Sequence, residues 1–281
     1  MKLNKIPTIY TTGLTGFIGK SLLPKLLTKY KRVINFRRNN QAQIYIADSV
    51  SEQSVSSQLF QENPAEEFIN LATLYDPSPN NYASLEALLE ANILFPSKIL
   101  HAVEFKKLKV LNALSYHQLL DFPSQNIYSL SKEIFKKFLD SHDFEVINLY
   151  MFDTFGKGDT RNKVTDVFIR NILDQKPISI PKNEISINLS DGEAISSSIM
   201  HSINLKKGSY SLAGPDTISL KNLAKTIMQL SNSNTKISQN NLGRNYFAEL
   251  PTLPTNAFKA ESGYSLNLSL QNRIDELKNE L

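Results

Sequence analysis

The chain has 281 residues, 41% of them hydrophobic and 21% charged, with a formal net charge of +4 and no cysteine. That length suffices for one large domain or one and a half ordinary ones, and the composition is that of an ordinary globular protein. The missing cysteines exclude disulfides, thiolate metal sites and a cysteine nucleophile, and fit a reducing, cytoplasmic setting. Lysines and arginines are scattered, with no dense basic block interleaved with aromatics, which argues against nucleic acid as a partner. No apolar run reaches the ~18 residues of a membrane span, and Met1–Pro7 carries lysines without the apolar stretch of a signal peptide.

Ile9 and Tyr10 read as a short apolar strand leading into Thr12–Gly19, Thr-Gly-Leu-Thr-Gly-Phe-Ile-Gly. Gly13, Gly16 and Gly19 stand at a strict spacing of three, and Lys20–Tyr30 follows with Leu22, Leu23, Leu26 and Leu27 at helical spacing. A strand, a glycine turn and a helix in one unit suit a dinucleotide. Glycines tolerate positive φ and let a phosphate approach the backbone. The helix offers unpaired N–H groups and the positive end of its dipole to a pyrophosphate. The predicted cofactor contacts here are Gly13, Thr15, Gly16, Phe17, Ile18 and Gly19.

Arg32–Phe36 reads as a second strand, ending in Arg37-Arg38. An acid at such a tip grips the ribose 2′-hydroxyl of NAD, and arginine accommodates the 2′-phosphate of NADP. Two arginines and no acid favour NADP, with NAD as the alternative. Ile44–Ala47 is a third strand closed by Asp48, Val50–Gln61 a helix, and Phe68–Ala72 a fourth strand. Ser84–Val103 is a long helix interrupted near Pro96, Lys109–Asn112 a fifth strand, Tyr128–Ser141 a helix and Phe144–Tyr150 a sixth strand. Alternating strands and helices predict an α/β fold, a Rossmann-type doubly wound parallel sheet, over residues 1–155.

Beyond Phe155 the rhythm breaks into a loop at Gly156–Asp159, a helix at Val164–Leu173, extended pieces over Ile178–Ile187 and a helix at Asp191–Ser202. Ser209–Leu212 reads as a strand and Leu220–Leu230 as a helix. Ser231–Leu253 is polar loop with one short strand near Ile237, and Leu268–Leu281 is a closing helix. Residues 156–281 are expected to form a smaller α/β substrate lobe whose segments interleave with the first domain. The crevice between the two is the default ligand site.

Tyr128 and Lys132 stand at i and i+4, on one face of a helix. A tyrosine near its reference pKa of about 10 is a poor proton carrier at neutral pH. One cation at ~4 Å, at an effective dielectric of ~20, supplies roughly the 4 kcal/mol needed to bring it to about 7. Lys132 is the candidate cation and Tyr128 the candidate acid–base group for a sugar or alcohol oxygen while hydride moves at carbon. Ser115, ending the fifth strand, can hold the same oxygen. Tyr75, His117 and Asp153 are candidate substrate contacts. His101, His142 and His201 are isolated, without metal-ligand spacing, and no metal is expected. Phe135, Phe138 and Leu139 on the Tyr128 helix are expected in core or dimer packing.

These residues bring the chain to a family. It resembles the extended short-chain dehydrogenases/reductases, specifically the NAD(P)-dependent epimerase/dehydratase group that acts on nucleotide sugars. Thr12–Gly19 is similar to that group's T-G-x-x-G-F-I-G, and Asn70-Leu71-Ala72-Thr73 resembles its H-L-A-A stretch along the cofactor. The resemblance assigns cofactor contacts to Asp48, Leu71, Ala72, Thr73 and Asn92, and a catalytic set to Ser115, Tyr128 and Lys132. In it Lys132 also holds the nicotinamide ribose. Phe152–Gly156 stands in the place of N-V-Y-G, with Asp153 for the asparagine, and Gly208–Leu212 and Gly263-Tyr264 resemble later motifs. Within the group, Leu71–Tyr75, Asn92–Pro96 and Tyr128–Lys132 are most similar to the CDP-abequose and CDP-paratose synthase type of reductase.

The resemblance implies an NADPH-dependent reductase of a nucleotide-linked 4-keto-6-deoxy sugar for O-antigen assembly, acting as a homodimer. One alternative is a nucleotide-sugar epimerase holding NAD tightly; the other is a non-catalytic, NADP-binding regulator. Two departures stand out. Tyr116-His117 follows Ser115 where dehydratases carry an acidic pair, which argues against a dehydratase. Ile185–Asp191 lacks the arginine that binds the substrate pyrophosphate in relatives, so Lys157, Arg161 or Lys182 would have to replace it.

Overall fold

The computed structural model describes residues 6–103, 108–119, 126–182, 184–212, 217–240 and 265–280. Strand β1 (Thr8–Thr12) is buried along its whole length. Ile9 and Tyr10 alternate to its two faces and enter separate hydrophobic cores, as period-2 geometry requires of a strand covered on both sides. Helix α1 (Phe17–Lys29) starts at Gly16, and β2 (Arg32–Phe36) returns parallel to β1.

The chain then departs from the expected alternation. Asn40 adopts positive φ and Arg37 N–H bonds Gln41 O, closing a tight turn. β3 (Gln41–Ile46) therefore runs antiparallel to β2, and β4 (Ser49–Ser54) runs antiparallel to β3. The helix expected from Val50 to Gln61 is a strand followed by only a short helix, α2 (Ser57–Glu62), capped by Ser56. β4 is an exposed polar edge strand, so no apolar alternation marked it.

β5 (Glu67–Asn70) pairs with β1 on the side opposite β2. The long helix beyond it is three pieces, α3 (Tyr82–Leu89), one π turn over Glu90–Leu94, and α4 (Phe95–Ala102). Pro96 has no N–H to give the carbonyl of Asn92 four residues back, and the chain widens just there. β6 (Lys109–Ser115), a short 3-10 turn (Tyr116–Leu119), α5 (Ile127–Asp140) and β7 (Glu145–Met151) follow.

β8 (Asp153–Phe155), α6 (Val164–Leu173), β9 (Ile178–Pro181) and β10 (Ser186–Asp191) begin the smaller lobe. The chain then returns to the first. α7 (Gly192–Ser202) packs its Ile195 and Ile199 into the core that holds Leu22 and Leu26 of α1, and β11 (Gly208–Leu212) pairs with β7. β12 (Thr217–Ser219), α8 (Leu220–Leu230), β13 (Ile237–Asn240) and α9 (Leu266–Glu280) complete the lobe around a third core that includes Phe155, Phe168, Ile187, Leu223 and Ile274. Gly263-Tyr264 lies outside the described residues.

The large sheet has the order β11-β7-β6-β5-β1-β2-β3-β4, parallel from β11 to β2. Strand order reverses at β1, and in open α/β sheets ligands lie outside the carboxyl ends of the strands at that point. Beside it, one polar row crosses the buried interior. Thr12 donates to Asn70 at 2.7 Å, Asn70 to Asn112 at 3.1 Å and Asn112 to Asn148 at 3.3 Å. All four are paired neighbours in register and 4% exposed or less.

Asn112→Ala strands an amide donor of Asn70 and the side-chain carbonyl of Asn148 in a dry interior. The expected loss is about 1–3 kcal/mol of unfolding free energy, read from urea denaturation with an unchanged slope. A loss under about 0.5 kcal/mol would mean that the row carries no stability.

Candidate active site

The carboxyl ends of β1, β2, β5, β6 and β7 open into a cleft of about 1120 Å³. Its floor begins at the glycine corner. Gly13 has φ +79°, and a Cβ there would sit 2.7 Å from Ala72 N. A Cβ on Gly19 would overlap the backbone of Gly13 and Leu14. Gly16 caps α1 with no side chain, and the first turn carries no acid. Bare N–H groups and the positive helix end thus face the cleft, the donor set a pyrophosphate requires. Gly13, Thr15, Gly16, Phe17, Ile18 and Gly19 all line it, as do Arg37, Arg38, Leu71, Ala72 and Thr73.

Two expected cofactor contacts are displaced. Because β3 runs antiparallel, Tyr45 pairs with Val33 and Ala42 with Phe36. Asp48 consequently sits in the β3–β4 turn at the end of the sheet opposite the glycine corner, where it cannot meet a ligand at the strand tips. Asn92 is buried on the π turn and fully engaged by the protein. Its oxygen accepts from Leu74 N (2.8 Å) and the Thr73 hydroxyl (3.3 Å), and its nitrogen donates to Leu74 O (3.1 Å) and Ser131 Oγ (2.9 Å). Asn92 therefore holds the segment beside the cleft rather than a ligand. The hairpin also brings an acid to the arginine tip, since Arg37 donates to Glu52 at 2.9 Å. Arg38 has no ion pair among the described residues.

Tyr128, Lys132 and Ser115 come together as the spacing predicts. Asn126 and Ser129 form a reciprocal cap on α5 that fixes its first turn. Ser131 Oγ binds the Tyr128 carbonyl and is held in turn by Asn92. The Tyr128 ring is 7% exposed, and it shares the cleft lining with Thr73 and Ser115, whose hydroxyls act on its own. Burial raises its pKa above the ordinary value, against the opposing pull of those two hydroxyls and of the Arg161 guanidinium. Lys132 does not supply the expected lowering. Its Nζ donates to Ala113 O at 3.1 Å, and burial brings its own pKa down to about 8. At neutral pH the phenol is thus protonated and the ammonium mostly charged.

The rest of the wall is aromatic and basic. The Tyr75 ring meets Tyr128 edge-on at 4.9 Å, and His117 stacks on Tyr116 at 4.3 Å. Burial, then Lys163, pushes His117 down to about 4, so it stands neutral. A strap over residues 156–163 crosses from the smaller lobe. Arg161 lies 4.5 Å over the Phe17 ring and Lys163 4.5 Å over the Tyr75 ring, cation–π contacts that join the lobes. Arg161 is also clamped by both oxygens of Asp159. Of the three cations named to replace the missing arginine, Arg161 lines the cleft; Lys157 and Lys182 do not. Lys163 and Tyr116 escaped the sequence, because nothing in their spacing separates them from ordinary loop residues. Phe135 and Leu139 are core residues of the large sheet.

A second depression, of about 1090 Å³, lies among Pro7, Tyr30, Glu66, Glu67, Asp143 and Glu145 at the opposite strand ends. It has neither a glycine corner nor a helix N-terminus. Among the described residues, the features that a dinucleotide requires are gathered in the first cleft. No helix among the described residues is long and apolar enough to cross a membrane.

A doubly wound sheet with a glycine corner at its switch point and a tyrosine–lysine pair beside it is the architecture of a dinucleotide-dependent enzyme. The chain belongs to the NAD dependent epimerase/dehydratase family, whose model matches residues 9–194. It is similar to a CDP-abequose synthase of Yersinia pseudotuberculosis, 26% identical over 246 residues that span 80% of this chain and 85% of that protein. A CDP-abequose synthase of Salmonella typhimurium is 27% identical over 207 residues, 66% of this chain and 64% of that one. Among solved structures, MoeE5 in complex with UDP-glucose and NAD superposes with a TM-score of 0.73 at 17% identity, covering 97% of this chain and 99% of its own. The chain is thus an NAD(P)-dependent oxidoreductase or epimerase.

Asp153 lies in the same cleft, and burial lifts its carboxyl from 3.8 to about 6, partly offset by Lys163, Tyr116 and Arg161. A carboxyl raised on folding binds more protons in the folded state, so it costs stability above pH 6, and that cost fades as pH falls towards 4. Asp153→Asn is therefore expected to stabilise the protein by on the order of 2 kcal/mol at pH 8, with the gain vanishing near pH 4. Paired thermal melts across that range check it; a gain that persists at pH 4 would contradict the assignment.

Proposed function

We propose that this protein is an NADPH-dependent reductase of a nucleotide-linked 4-keto-6-deoxy sugar, a precursor of O-antigen or another surface polysaccharide. The observation that carries the reading is the convergence of the Tyr128, Ser115 and Thr73 hydroxyls beside Lys132 at the floor of the cleft, with the phenol held protonated by burial. Reduction of a ketone requires an acid at its oxygen, and a protonated phenol is that acid. The similarity to two CDP-abequose synthases supports the nucleotide-sugar class.

The residues divide the work. The backbone N–H groups of Phe17 and Ile18 would hold the cofactor's pyrophosphate, and Lys132 would bond the nicotinamide ribose. A reduced dinucleotide held there would supply hydride for the carbonyl carbon. Tyr128 gives its proton to the carbonyl oxygen, which Ser115 and Thr73 orient. The Thr73 and Ser115 hydroxyls and the Arg161 guanidinium favour the phenolate left behind. Arg38, with no ion pair among the described residues where Arg37 is held by Glu52, is the residue that accommodates a 2′-phosphate. Leu94, Leu130 and Ile134 remain exposed on the π turn and α5, and the homodimer belongs to this reading through that face.

Tyr128→Phe is expected to cut turnover by about 10²–10⁴ while leaving NADPH affinity within twofold. Loss of reduced-nicotinamide absorbance and cofactor titration measure the two. Full activity in that variant removes the proposal. A sugar nucleotide converted with no net NADPH consumption, by protein purified with NAD bound, would instead identify an epimerase. Arg38→Ala should weaken NADPH about tenfold relative to NADH, the worth of one charge-assisted bond. An unchanged ratio would return the choice to NAD.

A further inference from the structure

Ser115-Tyr116-His117-Gln118 has the S-x-x-Q spacing of a capping box, and the chain forms one. β6 ends at Ser115, and the 3-10 turn Tyr116–Leu119 folds the next residues back over it. The Ser115 hydroxyl accepts from His117 N at 3.3 Å, and the Gln118 side-chain oxygen accepts from Ser115 N at 3.1 Å. Accepting from His117, the Ser115 hydroxyl keeps its own proton for the cleft, where it acts on the hydroxyl of Tyr128. A cap requires no more of Gln118 than an acceptor. Its amide nitrogen nevertheless reaches a second element, donating to Glu133 Oε2 on α5 at 3.0 Å. Glu133 directly follows Lys132 on the helix that carries Tyr128. One side chain thus touches the strand end that bears the serine and the helix that bears the phenol and the ammonium.

We propose that Gln118 is a positioning residue for the reaction: by joining Ser115 to Glu133, it fixes the separation between the serine at the tip of β6 and the tyrosine on α5. The inference rests on the reductase reading above and deepens it. The two ends dictate the residue type. The end at Ser115 meets an N–H and must accept; the end at Glu133 meets a carboxylate and must donate. An amide does both. A glutamate would turn a second carboxylate on Glu133, and an apolar residue would release both partners. Ser115 is held on its sheet side by pairing with Met151, and Gln118 supplies the hold on the helix side. The Lys132 ammonium ties the same helix to Ala113, before the strand tip. Proton transfer needs its groups at hydrogen-bond distance, and a displacement of about 1 Å can cost on the order of 10²-fold in rate.

Exchanging the two partners tests this. Turnover is followed as loss of reduced-nicotinamide absorbance with NADPH and CDP-linked or UDP-linked 4-keto-6-deoxyglucose, and NADPH affinity by titration. Gln118→Glu still accepts from Ser115 N but sets carboxylate against carboxylate at Glu133. Its kcat is expected to fall at least about tenfold, with NADPH affinity within about twofold of wild type. Adding Glu133→Gln to it lets the new amide on α5 donate to the new carboxylate on the turn, and kcat should return to within about threefold of wild type. Because Gln118 acts through Ser115, Gln118→Glu placed in a Ser115→Ala background should cost no more than about twofold further. A residue that only braced the fold would slow both backgrounds alike. The inference is overturned, and the reductase reading left intact, by a Gln118→Glu kcat within about twofold of wild type, by a double exchange as slow as the single one, or by equal losses in both backgrounds. Wild-type protein that binds NADPH yet reduces neither sugar nucleotide overturns the two together. If Gln118→Glu does not fold, Gln118→Leu in the same two backgrounds decides the matter.

Discussion

The hydroxyl of Thr12 ties the end of β1 to the end of β5 and to the segment just beyond it. It donates to Asn70 and accepts from Ala72 N at 3.2 Å, while the Thr12 carbonyl takes Leu71 N. Gly13, directly beyond, then passes so close to Leu71 and Ala72 that no side chain fits between. This contact aligns the tips of β1 and β5 into one ledge. The asparagine row extends the same alignment to β6 and β7, so that Ser115 and the Phe152–Asp153 segment arrive level with the glycine corner. A buried polar row is favourable only when every member is satisfied, which makes the register of four parallel strands all-or-none.

On that ledge the electrostatics follow burial more than charge pairing. Tyr128 and Asp153 are raised, and His117, Lys132 and Lys163 lowered, each with desolvation as the leading cause. All five are pushed towards neutrality by the walls that bury them. The strap contributes by laying two cations on aromatic faces of the opposite lobe, and it is itself anchored from behind. Arg273, buried in α9, binds Asp166 of α6 and the carbonyl of Asp159, and Glu276 accepts from Gly158 N. Helix α9 thereby sets the position of the strap, whose Arg161 acts on Tyr128. In such an interior a hydrogen bond or a transferred proton carries more free energy than it would in water.

The legible part of the chain was what local chemistry alone specifies. β2 and α6 fall on the residues read from periodicity, and the glycine corner and the Tyr128–Lys132 turn lie where their spacing put them. The hairpin at residues 37–54 was not legible. Its turns use Asn40 and Ala47 at positive φ with no glycine to announce them, and its outer strand is polar on both faces. That one reversal moved Asp48 to the far end of the sheet and brought Glu52 to Arg37. Asn92 was found but misassigned, because a motif shows that an asparagine is needed and not which groups it binds. Likewise, i to i+4 spacing brings Lys132 beside Tyr128 but cannot say that its ammonium turns to the Ala113 carbonyl. The return of α7 and β11 to the large sheet is a long-range pairing that no local pattern carries.

The central claim is that a nicotinamide dinucleotide lies across the tips of β1, β5 and β6, from the glycine corner to Lys132. Amide hydrogen exchange, with and without NADPH, tests it most directly. The account predicts slowed exchange at residues 13–19, 71–75 and 113–117. Slowing confined to the opposite strand ends, around Tyr30, residues 64–67 and residues 143–145, would contradict it, as would cofactor binding with no slowing at the glycine corner.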